Sequence, residues 1–310
     1  MPNWGQVLEE INAAQATEGP KAVDTIRKKY LAALAEKTKR TTICYYSGWL
    51  TKRIVGTEIN DEDKNGFMLC CHGVPKDAGL DLVLHTPGGN VFSTQSIVHY
   101  LREIFGDDIR VVVPQIAMSA GTIIACAANS ILMGKHSTLG PTDPQILGIP
   151  AHAMKAEFQK AYEQIVANPQ ATNAWKSILL QVGPTILQQC DWAIQYTEQI
   201  LREYLSEPNG ERTSEQIETI IKTLTDLADN KGHSRHLHHQ EAINLGLRIE
   251  MLEDDADLQD LVLTVHHCYM LLLANSPCFK IIENHAGQTF LKNQANQNHG
   301  ISIGLGQPPT

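Results

Sequence analysis

Three short apolar runs, each closed by small residues or proline, constrain this 310-residue chain most. Residues 82–84 (Leu-Val-Leu) lead into His85-Thr86-Pro87-Gly88-Gly89. Residues 111–113, all valine, lead to Ala117-Met118-Ser119-Ala120-Gly121-Thr122. Residues 131–133 (Ile-Leu-Met) lead to Ser137-Thr138-Leu139-Gly140-Pro141. Short continuous runs of this kind suit strands buried on both faces. Between the first two, residues 93–105 set Ile97, Val98, Leu101, Ile104 and Phe105 at helical spacing, and residues 121–128 read as a helix of mostly small residues. Parallel strands require such crossovers, so the alternation predicts an α/β fold with a parallel sheet core.

Ser119 falls at the junction of the second strand and its helix. A hydroxyl there is exposed at the strand's C-terminal end. The N–H of Ala120 faces the same space from the helix N-terminus, where positive partial charge gathers. Gly88 and Gly89 close the neighbouring strand and let the backbone approach a ligand closely. Two N–H groups beside a hydroxyl make an oxyanion hole. A second reading stands beside this one, in which Ser119 is simply a small residue where helix meets sheet.

The combination of His85-Thr86-Pro87-Gly88-Gly89, Ala117-Met118-Ser119-Ala120-Gly121-Thr122 and the stretch from Ser137 to Gln145 resembles the Clp protease/crotonase superfamily. Within it, the chain is most similar to the serine dehydrogenase proteinase family, relatives of signal peptide peptidase A. The likeness extends to residues 42–47, to residues 61–67 and to Gln240-Glu241-Ala242-Ile243-Asn244-Leu245-Gly246-Leu247, and spans roughly residues 27–284. The resemblance implies a Clp protease/crotonase-like parallel sheet with crossover helices, extended by helical additions at both ends. It implies a serine peptidase with Ser119 as nucleophile and Gly89 and Ala120 as oxyanion-hole donors. Gly88, Asn90, Met118 and Gly140 would line the substrate. It also implies a homo-oligomer. Three functions follow in order: a serine peptidase, an inactive or gated Clp-like scaffold or effector, and a crotonase-like CoA-thioester enzyme.

A serine hydroxyl needs a neighbour to take its proton. Clp-type relatives use a His after the third strand, where this chain reads Leu139-Gly140-Pro141-Thr142-Asp143-Pro144. Peptidase A relatives use a Lys on a later helix, yet residues 184–205 hold none. The candidates are Lys155, Lys160 and Lys176, with His233 as an alternative because it precedes the Glu241-Ala242…Leu245-Gly246-Leu247 element.

The remaining organisation is read coarsely. Residues 1–40 form an N-terminal helical segment and residues 41–255 the Clp protease-like domain. Residues 256–293 form a C-terminal helix and an extended piece, and residues 294–310 a flexible tail. Residues 67–71 read as a strand, and residues 60–65 as a solvated polar turn. The apolar helix at 261–273 is expected to cover itself at a subunit interface. The net charge of −9 speaks against a nucleic-acid surface. Seven cysteines, an odd number with several in apolar runs, suit reduced buried thiols and a cytoplasmic protein. Adjacent Cys70 and Cys71 are poorly placed for a metal, the alternating histidines at 233–239 read better as a polar turn, and no cofactor is expected. The expected partner is a peptide or protein substrate. A regulatory or peripheral membrane partner stays open.

Overall fold

The computed structural model describes residues 4–206, 212–225 and 234–294. The expectations for His233 and for the tail beyond residue 294 therefore lie outside the described residues. The chain divides into two compact units, Met1–Leu139 with Leu237–Thr310, and Gly140–His236.

The first unit opens with helices α1 (Trp4–Glu18) and α2 (Ala22–Thr38). Then follow β1 (Thr41–Ser47), α3 (Asp63–Cys71), β2 (Leu80–His85), α4 (Val91–Phe105), β3 (Ile109–Val113), α5 (Ala120–Cys126) and β4 (Ser130–Met133). The second unit is mostly helical among its described residues, with a short antiparallel hairpin (Gln145–Ile146 with Ile149–Pro150) followed by α6 (Ala151–Ala167), α7 (Thr172–Leu179), α8 (Ile186–Ser206) and α9 (Ser214–Thr225). Back in the first unit come α10 (His239–Asn244), β5 (Ile249–Met251), α11 (Ala256–Asn275), β6 (Cys278–Asn284) and β7 (Thr289–Asn293). No described helix is long and apolar enough to cross a membrane.

The central sheet has the order β5-β4-β3-β2-β1-β6-β7. Its first five strands run parallel, β6 runs antiparallel to β1, and β7 antiparallel to β6. The protein is thus a mixed α/β protein with a mostly parallel sheet. Register sets one face of the core. Cys44 lies beside Val83, Val83 beside Val112, and Val112 beside Leu132. This row packs against Leu31 and Leu34 of α2 and against Val262, Val265, Tyr269 and Leu273 of α11.

Four local readings are corrected. Residues 67–71 belong to helix α3 rather than a strand, because Phe67, Cys70 and Cys71 recur at helical spacing and are buried together. The polar turn at 60–65 is not solvated throughout: Asp63 is 0% exposed and pairs with the equally buried Lys280 at 2.9 Å. The apolar α11 needs no second subunit to cover it, since α1 and α2 pack on it through Val7, Ile11, Ile26 and Leu31. The extended piece near the C-terminus is two strands: the first runs on through Glu283 and Asn284, where a turn is expected, and lies one strand from the edge of the sheet.

A buried polar cluster ties α2 to this late-sequence strand. Arg27 donates from Nε and a terminal nitrogen to the two oxygens of Glu283, at 2.7 and 3.0 Å. Tyr269 and Thr289 hydroxyls donate to the same carboxylate at 2.8 and 2.7 Å. Burial by itself would raise the Glu283 carboxyl, but Arg27, Thr289 and Tyr269 outweigh it and hold it below the usual carboxylate range.

In the second unit, Ala151 and Met154 of α6 pack on Ile186, Cys190 and Ile194 of α8. Arg202 of α8 makes a two-pronged pair with Glu218 of α9, at 2.7 and 3.0 Å.

Candidate active site

Strand pairing continues past the end of β2. Thr86 bridges Ala117 in parallel, with Thr86 N–H donating to the Ile116 carbonyl at 3.3 Å and Met118 N–H to the Thr86 carbonyl at 3.0 Å. These bonds deliver Ser119 to the N-terminus of α5, as its cap residue. Its backbone has φ +51° and ψ −114°. A non-glycine residue there costs about 1–3 kcal/mol and persists only where the surroundings over-determine it. They do: Gly121 N–H donates to the Met118 carbonyl, and Thr122 and Ile123 N–H groups both donate to the Ser119 carbonyl. The side chain itself is left uncommitted. Half-buried Ser119 has no hydrogen-bond partner for Oγ among the described residues.

The glycine pair abuts this elbow. Gly88 has φ +96° and Gly89 φ +154°, both in the region that favours glycine. A Cβ on Gly88 would stand 2.6 Å from Ser119 Cβ and 2.9 Å from Ala120 N. Gly89 bridges Ile59 in parallel: Ile59 N–H donates to the Gly88 carbonyl at 2.8 Å and Asn90 N–H to the Ile59 carbonyl at 2.9 Å. Those bonds belong to the residues flanking Gly89, so its own N–H points away from Ile59. Neither Gly89 N–H nor Ala120 N–H has a hydrogen-bond acceptor among the described residues. Two unspent donors beside an unspent hydroxyl can hold an oxygen that gains negative charge when that hydroxyl attacks a carbonyl.

The contact at Gly88 has a measurable consequence. Gly88→Ala is expected to cost well over about 1 kcal/mol in urea denaturation, because φ is unsuited to a Cβ and the space is occupied. Gly246, with φ +91° and nothing within 4 Å, is the control for φ alone. Equal losses for the two alanine variants would contradict the close packing of Gly88 on Ser119.

Asn90 caps α4, its Oδ1 accepting from Phe92 and Ser93 N–H groups at 2.9 and 3.0 Å. Met118 is half-buried beside Ser119, and Ala120 is buried. His85 is fully buried, with Nδ1 at 3.2 Å from the Ser47 carbonyl and Nε2 at 3.1 Å from Gln115 Oε1. Burial pushes its pKa down to about 4, so the ring is neutral at physiological pH and is held on both sides by scaffold groups. Gly140 opens the second unit. Within that unit Lys155 pairs with Asp191 at 2.5 Å and Lys160 with Glu157 at 3.6 Å, both with exposed side chains. Lys160 also sits 6.0 Å from the Trp175 ring centre, and Lys176 is exposed on α7.

The sequence reading missed Ile59, the residue that holds Gly89 in place, and the buried Lys280–Asp63 pair next to it. A signal existed. Lys280 and Glu283 are charged residues inside the run Cys-Phe-Lys-Ile-Ile-Glu-Asn, and charge in a buried strand requires a partner.

A family model described as ClpP-like SDH-type serine proteinase matches residues 57–251, which holds the Ile59 segment, both glycines and Ser119. The uncharacterized protein MJ0137 of Methanocaldococcus jannaschii is 30% identical over 235 residues, covering 74% of this chain and 75% of that protein. The uncharacterized protein MJ1495 of the same organism is 30% identical over 167 residues, covering 54% of this chain and about half, 51%, of its own length. The chain belongs to the ClpP-like SDH-type serine proteinase family.

Proposed function

We propose that the protein is a serine peptidase that hydrolyses peptide bonds through an acyl-enzyme on Ser119. One observation carries the reading: a strained Ser119, its hydroxyl unspent, is packed against Gly88–Gly89, and two backbone donors nearby have no acceptor. Ser119 Oγ attacks the scissile carbonyl carbon while a base takes its proton. The carbonyl oxygen, now negative, is held by Gly89 and Ala120 N–H groups. Collapse expels the amine, which receives the proton back from the base. Water then hydrolyses the ester by the same route in reverse, and the serine is restored. Gly88, Asn90, Met118 and Gly140 lie along the substrate in this reading. The seven cysteines, all free and buried, support a cytoplasmic setting.

The base is one of Lys155, Lys160, Lys176 or His233. A lysine serves only when deprotonated, which requires it to be drawn out of solvent on substrate binding. The test is hydrolysis of a peptide library by wild type, followed by Lys155→Ala, Lys160→Ala, Lys176→Ala and His233→Ala. Wild type is expected to cleave, and the variant lacking the base to lose about 10²–10⁴-fold in kcat. Full activity in all four would remove these residues from the mechanism. No cleavage and no labelling of Ser119 would turn the reading to a scaffold.

A further inference from the structure

We propose that the buried Lys280–Asp63 pair positions the Gly88–Gly89 turn, by gripping the segment on which those glycines lean. The proposal rests on the peptidase reading for its catalytic consequence, though not for its structural one. Lys280 Nζ donates to both Asp63 oxygens at 2.9 Å and to the Glu58 carbonyl at 2.7 Å, which uses all three of its protons. Asp63 Oδ2 also accepts from Asn60 N–H at 3.1 Å and from Tyr45 Oη at 2.9 Å. The pair therefore grips Glu58 and Asn60, the residues on either side of Ile59. Ile59 spends its own N–H on the Gly88 carbonyl, and its carbonyl on Asn90 N–H. A second tie runs from Ser93 Oγ to Asp61 Oδ1 at 2.6 Å, joining the same segment to the start of α4. The chain of bonds from Lys280 to the Gly89 amide thus has no gap.

Energetics explain why such a pair would be kept. Lys280, Asp63 and Ile59 are all at 0–1% exposure. Removing two charges from water is costly, and an apolar pair of similar volume often supports a fold as well or better. An apolar pair cannot hold a carbonyl at residue 58 and an amide at residue 60. What the ions add is direction, and that direction passes to the Gly89 N–H. Displacing such a donor by a fraction of an ångström matters, because an oxyanion donor acts only when it is aimed where charge develops.

The experiment is residue-resolved hydrogen exchange, together with steady-state kinetics, on wild type and on the Lys280→Met/Asp63→Leu double variant. In wild type the Ile59 and Asn90 amides should be protected as deeply as those of β2. In the double variant, with circular dichroism and melting midpoint close to wild type, those two amides should exchange at least ~10-fold faster while β2 and β3 stay protected. kcat should fall about 10–100-fold with KM within about twofold, the signature of a lost transition-state contact. Unchanged exchange at Ile59 and Asn90, or faster exchange spread evenly over the sheet, would overturn the proposal. Should the double variant not fold, the wild-type measurement still decides, since loop-like exchange at Ile59 and Asn90 is incompatible with the grip. A wild type that neither cleaves peptides nor reacts at Ser119 would defeat the peptidase reading alone. The exchange pattern would still report on whether the pair holds the glycines.

Discussion

Ser119→Ala is expected to abolish measurable peptide hydrolysis, a loss on the order of 10⁵–10⁶ in kcat for a nucleophile that acts as one unit with its base. The fold should survive, since no hydrogen bond of the scaffold uses Oγ among the described residues. Ser119→Gly should lose as much activity yet gain about 1–2 kcal/mol of stability, because glycine accepts φ +51° without strain. Alanine keeps the Cβ and so keeps the strain. The two variants therefore separate the chemistry of the hydroxyl from the cost of holding it. Kinetics and urea denaturation on the three proteins measure both. Alanine at wild-type activity would contradict the nucleophile; glycine less stable than alanine would contradict the strain.

The second large effect concerns the fold. Arg27→Met is expected to cost about 3–5 kcal/mol, because it leaves the fully buried Glu283 charge without its cation. The pH dependence has a definite sign. In wild type the folded-state pKa of Glu283 is depressed, so its contribution is present above the ordinary carboxylate range and is lost as pH falls through the folded value. In Arg27→Met the lowering cation is gone and burial raises the carboxyl instead. The gap between variant and wild type should therefore widen as pH rises above the ordinary carboxylate range, and narrow as pH falls toward it, because the folded variant takes up a proton on Glu283 at a pH where the unfolded chain is still ionised. The Arg27→Met/Glu283→Leu double variant should recover most of the loss. Denaturant titrations across this pH range check it. A gap that stays constant with pH would mean that the lost packing of the Arg27 side chain, rather than the unpaired charge, sets the cost.

What is legible in the sequence depends on the range of the interactions involved. Strands β2, β3 and β4 were legible because each is a continuous apolar run closed by glycine, proline or small residues. Their parallel order followed from the helical spacing between them. Ser119, Gly88 and Gly89 were legible for the same reason: they sit at strand ends, where local residue choice reveals an unusual backbone. Helix α3 was misread because Phe67-Met68-Leu69-Cys70-Cys71 is a short apolar run, and such runs look alike in strand and helix. Asp63 looked like a member of a solvated acidic turn, since its partner Lys280 lies 217 residues away and no local pattern announces the pairing. The same distance hid where the extended run at 278–282 pairs: β6 lies against β1 and β7 against β6, completing the sheet from the far end of the chain. Helix α11 looked too apolar for one chain because its cover, α1 and α2, comes from the opposite terminus.

The most direct test of the central claim is to treat the protein with a fluorophosphonate, which forms a stable bond only with an activated serine, and to map the adduct by mass spectrometry. The account predicts one adduct per chain, on Ser119, absent from Ser119→Ala and slowed in the Lys280→Met/Asp63→Leu variant. No adduct on Ser119 under conditions where wild type cleaves peptides, or an adduct on another serine that accounts for that cleavage, would contradict it.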